Sequence, residues 1–506
     1  MTATGPPKRP FRPSPFLRDV IFSGLTAVCV VVSLVAVTGW LASGLGPARF
    51  GVYALSRRLL SAVTSFSTVP VGVALARSLA IADRERDRLA YLTAGAIFVL
   101  VPNLLLLAIG LAAPGFWARL LLTDASHAPV LVATMLHIVA MATFTAVLAR
   151  YRGTQRIGRA NLWQLWVLAL GPALVAAPLA SSGRVGLIVL LTALVALTTA
   201  IPLGVWVARA LAERLAWAEV RARLRELLRY GIPRVPGGLA FGGLMAIGPF
   251  MAPYLGSLRE AGFLVAGQSM LRVVEGGTSA FSLVALPKVA ALQARREHQF
   301  LRDRVEDMMS MVLHLGLFAT FQLLIWSDEI VTVWLGPAYH EAVPIIRILM
   351  AGVVPYLAYA MLRTIIDGLE ERAVNTHNMY AACAVTVVLS VALGSAGYGT
   401  PGLAVAGAAG FVVLGMLTVR HLWTVLRPAG RHLAAGPAVW LNLLLGAAVL
   451  GLRAALVPRL GSGELLAVGL AAMGLAFLVH MTVLRRLGVR WVEEIEQRLR
   501  PRQARQ

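Results

Sequence analysis

The sequence predicts an all-α membrane protein that crosses the bilayer about fourteen times. Of its 506 residues, 58% are hydrophobic and only 14% are charged, and its mean hydropathy is +0.75. A soluble domain uses about 25% charged residues to solvate its surface. Apolar runs long enough to cross a hydrocarbon core of about 30 Å recur along almost the whole chain. The chain is therefore expected to be solvated by lipid.

The apolar runs give the predicted spans in chain order. They cover residues 20–44, 51–76, 90–112, 128–149, 161–180, 185–207, 233–255, 262–286, 308–326, 344–366, 378–397, 401–424, 436–457 and 464–484. The basic, proline-rich segment before them is predicted to be disordered. The first run is longer than the apolar core of a signal peptide, so it is interpreted as an uncleaved first span.

Positive charge alternates between the two sides of this topology. Of the 46 lysines and arginines, 35 fall on one side, 6 on the other and 5 within spans. Cytoplasmic loops are the ones that collect positive charge. Both termini are therefore predicted to be cytoplasmic, in a bacterial plasma membrane. The same rule accounts for the net charge of +22, so no nucleic-acid partner is expected.

Cysteine usage and short motifs give no sign of a cofactor or of catalysis. Cys29 and Cys383 both lie within apolar runs, which predicts neither a disulfide framework nor a metal site. The sequence has no Walker A loop, no HExxH and no CxxC, and its loops opposite the basic side are short. An enzyme is therefore not expected.

An internal repeat divides the chain. The stretch 45–80 is matched about 210 residues later by 255–292, with Gly51 aligned on Gly262 and Arg77 on Lys288. Six predicted spans separate the two copies, so the halves have the same topology and a pseudo-two-fold axis along the membrane normal. The predicted parts are a disordered segment (1–19), an N-lobe (20–207), an amphipathic cytoplasmic linker (208–231), a C-lobe (232–425), two C-terminal helices (436–484) and a basic tail (485–506).

Four phrases resemble the oligosaccharide flippases of the polysaccharide transporter family. They are LG-x3-FGVY in the first hairpin, YRGTQRIGRAN, LLRYGIPRVPGGL and SDEIVTVWLGPAYHEAVPIIRIL. This family belongs to the multidrug/oligosaccharidyl-lipid/polysaccharide (MOP) exporter superfamily. The resemblance covers about residues 15–425. It implies two six-helix lobes around a central cleft, alternating access, and movement of polyprenyl-diphosphate-linked sugars across the plasma membrane.

Charged groups within spans identify a candidate substrate site, because ionisable side chains are expensive in lipid. Arg272 and Glu275 lie three residues apart, on one face of the eighth span. The repeat aligns Arg272 with Ser61 and Glu275 with Thr64. The predicted cleft residues are Arg57, Ser61 and Thr64 on one wall and Gln268, Arg272 and Glu275 on the other, with Arg58 ranked below Arg57.

These residues also have structural interpretations. Arg272 and Glu275 could form a self-neutralising pair, and Arg57 and Arg58 could extend to lipid headgroups. Other polar or small residues in spans are predicted to be structural: an interfacial Arg363–Asp367 pair, Arg347, hydrogen-bonded His137 and His314, and a Gly238–Gly242 packing motif.

Three functions remain open from the sequence. The leading one is a flippase for a lipid-linked oligosaccharide, working beside membrane lipids and the glycosyltransferases or polymerase of the same pathway. A multidrug or cation antiporter of the same superfamily would favour a net acidic cleft. A membrane scaffold of a glycan-synthesis complex would transport nothing.

Overall fold

Every secondary-structure element in the described part of the computed structural model is a helix. That part comprises residues 15–275, 298–369, 374–427, 430 and 433–493. The helices are α1 (Pro15–Ser67), α2 (Val69–Ile81), α3 (Glu85–Ala112), α4 (Pro114–Leu122), α5 (Ala128–Gly153), α6 (Ile157–Leu165), α7 (Gly171–Leu179), α8 (Val185–Leu197), α9 (Ala200–Ala212), α10 (Trp217–Gly231), α11 (Val235–Leu255), α12 (258–275), α13 (His298–Ile325), α14 (Ser327–Trp334), α15 (Val343–Met350), α16 (Val353–Leu369), α17 (Val374–Ser395), α18 (Gly399–Leu426), α19 (Ala435–Leu456) and α20 (Ser462–Arg486).

The predicted class of polytopic all-α membrane protein is confirmed. Within the described residues, 11 helices are long and apolar enough to cross a membrane. The number is up to 12 if the helix pair Pro337–Met350 and Val353–Asp367, bent by 53°, counts as one span. The total of fourteen stays a prediction.

Helix α1 is bent where the sequence predicts a loop between two spans. Its apolar part, Ile21–Ser67, has 47 residues and would measure about 70 Å if straight, more than twice the hydrocarbon thickness. The bend lies at Gly46, whose φ of 72° and ψ of 166° are not helical. Glycine tolerates this left-handed φ because it has no Cβ.

One predicted boundary differs from the structure, and three long stretches of the chain lie outside the described residues. Helix α1 begins at Pro15, so residues 15–19, predicted to be disordered, are helical. Residues 1–14, the stretch 276–297 with Lys288 and the end of the eighth predicted span, and 494–506 of the basic tail lie outside the described residues.

The chain has two distinguishable sides. We call the side with the Gly46 bend the bend side, and the side with α10 and the start of α3 the basic side. Contacts at the bend side join distant parts of the chain: Trp334 Nε1 donates to the Val35 carbonyl at 2.7 Å, and Arg453 pairs with Glu329 at 2.8 Å. The second contact fixes α19 to α14.

Glycines mark the places where α1 meets the second half of the chain. A Cβ on Gly51 would lie 1.9 Å from the carbonyl oxygen of Leu258, and a Cβ on Gly262 would lie 3.4 Å from the Cα of Gly51. The two glycines that the repeat aligns therefore face each other. Gly238 and Gly242 on α11 lie equally close to α1, against the backbone of residues 62–66. Close approach of this kind is what small residues permit between membrane helices.

Helix α10, predicted as an amphipathic linker, is docked on the first half of the chain. Glu219 pairs with Arg86 at 2.9 Å, and Arg223 pairs with Asp87 at 2.9 Å. The exposed face of the linker region carries Arg214, Trp217, Arg221 and Arg225. The linker therefore has one face bound to the protein and an exposed face that carries arginines. The sequence predicts only the second feature, a basic helix that lies against the membrane.

Candidate substrate site

One face of α12 carries the predicted polar wall. Gln268, Arg272 and Glu275 follow one another at spacings of four and three residues, which places them on one face. The contacts at Gly51 and Gly262 hold this helix against α1. A further close contact, between Gly267 and Leu349, holds it against α15, where a Cβ would meet the leucine at 2.7 Å.

Arg272 reaches across to α1. Its Nη2 donates to Ser61 Oγ at 3.3 Å, joining two positions that the repeat aligns. Side chains related by a two-fold axis touch only near that axis. The Gly51–Gly262 contact and the Arg272–Ser61 contact are therefore two points that favour a pseudo-axis between α1 and α12.

Glu275 is held in a different direction. Tyr356 Oη on α16 donates to Glu275 Oε2 at 2.6 Å, and Tyr356 is only 2% exposed. The described contacts of Arg272 and Glu275 thus lead to different helices.

The ranking of Arg57 above Arg58 is not supported by the placement of the two side chains. Arg58 is buried, and its electrostatic neighbours include Arg272 and Tyr356 of the second half. Arg57 instead interacts with Tyr53 and His137 of the first half. The face of α1 that meets α12 is fixed by Gly51, and Arg58 lies seven residues later on that face. Sequence spacing from Ser61 could not separate the two arginines, since i−3 and i−4 are both its neighbours.

The remaining predicted residues complete the polar surroundings. Thr64 Oγ1 donates to the Leu60 carbonyl of its own helix at 2.8 Å. Gln268 is 4% exposed, and its Oε1 has no hydrogen-bond partner among the described residues. This buried acceptor lies one helical turn from Arg272, on the same face of α12.

The polar region extends along α16 toward the basic side. Arg363 lies over the Tyr359 ring, 5.4 Å from its centre. Asp367 accepts a hydrogen bond from Asn375 Nδ2 at 2.8 Å. The same amide nitrogen of Asn375 donates to the Arg363 carbonyl at 2.9 Å. The two positions expected to form an i,i+4 pair therefore join α16 to α17. Tyr356 and Tyr359 are not among the candidate polar residues predicted from the sequence. Two tyrosines three residues apart in an apolar span are a pattern that could have indicated a polar face.

An apolar cavity lies on the other side of α12. Its volume is about 520 Å³. The lining residues are Val35, Ala36, Gly39, Trp40 and Ser43 of α1, Met270, Val273 and Val274 of α12, and Leu323, Ile330, Val333, Trp334 and Leu466. Several of them, including Trp40 and Val333, are exposed at the protein surface. Within a membrane this cavity is open to lipid, and α12 separates it from the polar contacts of Arg272.

The bend side is closed by aromatic packing between the two halves. The Tyr339 ring packs edge-on against Phe50 of α1 and Phe263 of α12, with ring centres 5.9 and 5.8 Å apart. Tyr339 Oη also donates to the Ala42 carbonyl at 3.1 Å. We call Phe50, Phe263 and Tyr339 the aromatic closure.

No metal centre is formed in the described part of the chain. No group of three or more His, Cys, Asp or Glu side chains there could hold a metal ion.

Arg347, which the sequence predicts to be structural, pairs with Asp328 at 2.6 Å.

Comparison with solved structures defines the class of fold. A lipid II flippase, MurJ, in an inward closed conformation matches with a TM-score of 0.70 and 11% identity, over 94% of this chain and 100% of that one. An inward-facing multidrug-resistance MATE transporter of the MOP superfamily matches with a TM-score of 0.62 and 14% identity, over 80% and 99%. A MOP transporter from Pyrococcus furiosus matches with 0.58 and 15%, over 81% and 96%. The fold is that of the MOP transporters.

The family follows from the sequence itself. The sequence profile of the polysaccharide biosynthesis protein family matches residues 41–344, more than half of the chain. The chain therefore belongs to that family, and the predicted resemblance to MOP-type polysaccharide transporters is confirmed. No curated protein matches the chain. The solved structures with this fold are those of transporters, which agrees with the expectation that the chain is not an enzyme.

Proposed function

We propose that this protein flips a polyprenyl-diphosphate-linked oligosaccharide or polysaccharide precursor across a bacterial plasma membrane. The observation that carries this proposal is the two-sided character of α12. One face presents Arg272, with Arg58 beside it, to the polar site, and the other lines an apolar cavity of about 520 Å³. A lipid-linked sugar has the same two parts, an anionic diphosphate and an apolar chain.

Charge favours an anionic cargo over a cationic one. Two buried or half-buried guanidinium groups, Arg58 and Arg272, lie within electrostatic range of each other. Like charges in a region of low dielectric repel strongly unless an anion lies between them. Arginine also binds phosphate through paired hydrogen bonds. Glu275, the acid on the same face, is held by Tyr356.

The proposed cycle uses two lobes, 20–207 and 232–425, that rock about the axis between α1 and α12. The aromatic closure seals the bend side, which is the outer side if both basic termini are cytoplasmic. The cargo would then be loaded from the cytoplasmic leaflet and released after the closure opens. The enzymes that build and polymerise the glycan would act before and after this step. The lipid II flippase with the same fold supports this class of cargo.

The test is transport by purified, reconstituted protein. Native chain in proteoliposomes should move a fluorescent polyprenyl-diphosphate oligosaccharide between leaflets, and Arg272→Ala should abolish that movement. Arg119→Ala, an exposed arginine of α4, is the matched control and should move cargo normally. Normal movement by correctly inserted Arg272→Ala would refute the site assignment. Movement of an organic cation in place of the sugar would favour the antiporter, and no movement of either would favour a scaffold.

A further inference from the structure

Two histidines meet in the apolar interface between α13 and α20. His314 and His480 are both 0% exposed, and their ring centres lie 5.8 Å apart in an edge-on arrangement. None of their four ring nitrogens has a hydrogen-bond partner among the described residues. His314 is therefore not the hydrogen-bonded core residue that the sequence predicts.

The pair lies within a longer row of buried polar atoms. Gln322 Oε1, Trp326 Nε1 and Asn442 Oδ1 also lack hydrogen-bond partners within the described ranges. Gln322 on α13 and Trp326 just beyond its end follow His314 at eight and twelve residues, about 80° and 120° round the helix axis from it. Gly446 packs against Phe321, so Asn442, one turn earlier on α19, lies near the level of His314. We call these five residues the polar seam.

The chemistry of imidazole identifies the ligand that this pair lacks. A neutral histidine has one N–H donor and one acceptor nitrogen, and leaving both unmade in an apolar interior is unfavourable. One added proton changes this situation. The protonated ring has two N–H donors, and the neutral ring offers an acceptor, so a small ring rotation forms an N–H···N hydrogen bond between them.

We propose that the His314–His480 pair binds one proton and couples its uptake to the conformational cycle of the transporter. The coupling half of this statement rests on the proposed function. The proton-binding half rests on the geometry of the polar seam.

Charged groups approach the pair from the two ends of α13. On the basic side, Asp307 lies two helical turns before His314 on the same face and pairs with Arg304 at 3.5 Å. Asp307 also pairs with Arg490 at 3.7 Å. The other titratable or charged groups on the packed elements include Arg302, Asp303 and Glu306 of α13, Asp328 and Glu329 of α14, Arg347 of α15, Tyr356, Tyr359, Arg363 and Asp367 of α16, Arg453 of α19, and Glu464, Arg485 and Arg486 of α20. Among the acids of α13, Asp307 lies nearest to His314 in the sequence and shares its face.

Helix α13 connects the pair with the candidate substrate site. Gly316 lies on the face opposite His314, and a Cβ there would meet Val354 of α16 at 3.2 Å. Two residues later, Tyr356 donates to Glu275. Because this packing is tight, a shift of α13 on protonation would move α16 and the Tyr356–Glu275 contact.

Proton binding can be measured without any cargo. The full-length protein, labelled with ¹⁵N-histidine and held in nanodiscs, should show one proton taken up by the pair as the pH is lowered from about 8 to about 4. His314→Gln should remove that proton from His480, and His480→Gln should remove it from His314. Two rings that stay neutral throughout this range would overturn the proposal.

Coupling is then measured in proteoliposomes with a pH gradient. Transport by the native chain should change at least threefold with the direction of the gradient, and His314→Gln and the double variant His314→Phe/His480→Phe should lose this response. The second variant keeps the interface filled, and thermal unfolding checks that both variants are folded. His127→Gln, at the bend-side surface, should keep the native response. An unchanged gradient response in both folded variants would overturn the coupling. If the native chain binds a proton between His314 and His480 but moves no lipid-linked sugar, the proposed cargo is contradicted and the proton site is supported.

Discussion

Arg58 and Arg57 are adjacent in the sequence, but only Arg58 is buried with Arg272 among its electrostatic neighbours. Arg57 and Arg58 are equivalent in composition, and both lie within one turn of Ser61. The close contact at Gly51 turns the Arg58 face of α1 toward α12. Arg272, Glu275 and Ser61 could be predicted from the sequence, because intramembrane charges and a repeat point to them. The identity of the partner arginine could not, since it depends on the rotation of α1.

The residue-scale prediction compares these two arginines. Arg58→Met removes a buried charge beside Arg272 and keeps most of the side-chain volume, so we expect transport of the lipid-linked sugar to fall about tenfold or more. Arg57→Met should lower it by less than about threefold, because Arg57 interacts within the first half. Initial transport rates in proteoliposomes with equal protein incorporation measure both. Equal losses in the two variants would contradict the assignment of Arg58.

At the scale of elements, glycine contacts determine how the helices cross. Most spans could be predicted from hydropathy because a membrane helix needs a long apolar run. The sequence predicts a loop between the first two spans, and the structure has a bend there at Gly46. The docking of α10 on α3 could not be predicted, because it depends on ion pairs between residues 133 and 136 positions apart.

The element-scale prediction concerns the crossing of α1 and α12. Gly51→Ala should destabilise the protein by about 2 kcal/mol or more, because the new Cβ would lie 1.9 Å from the Leu258 carbonyl and the backbones would have to separate. Gly24→Ala is the matched control, since a Cβ at Gly24 meets nothing within 4 Å. Thermal unfolding in one detergent compares the two. A Gly51→Ala midpoint equal to that of Gly24→Ala would show that the crossing is looser than described.

The whole molecule is closed at one end by side chains from both halves. Tyr339, Phe50 and Phe263 meet at the bend side, and Trp334 bonds to the α1 backbone there. The sequence shows only a partly apolar segment in this region, because a closure formed by residues nearly 300 positions apart leaves no local pattern.

The prediction at this scale is a change in accessibility. Tyr339→Ala removes the Tyr339 contacts of the aromatic closure, so a cysteine placed at the buried position Ala42 should react faster with a membrane-impermeant thiol reagent. We expect an increase of about tenfold or more, as a buried position becomes open to water for a larger fraction of the time. The measurement uses a chain in which Cys29 and Cys383 are replaced by alanine. Tyr398→Ala, at an exposed bend-side tyrosine, should leave the rate unchanged, and a rate unaffected by Tyr339→Ala would contradict the closure.

The two pseudo-equivalent crossings between the halves are not equally tight. Helix α11 is sealed against α1 by Gly238 and Gly242, whereas the matching boundary between the first part of α1 and α12 contains the apolar cavity. Among the described residues, the lateral opening thus lies beside α1 and α12, whereas the matching contact of α11 with α1 is closed at Gly238 and Gly242. Under the proposed function, a lipid-linked cargo that diffuses in the bilayer plane is expected to enter beside α1 and α12, and an enzyme that hands over its product is expected to sit on the same side.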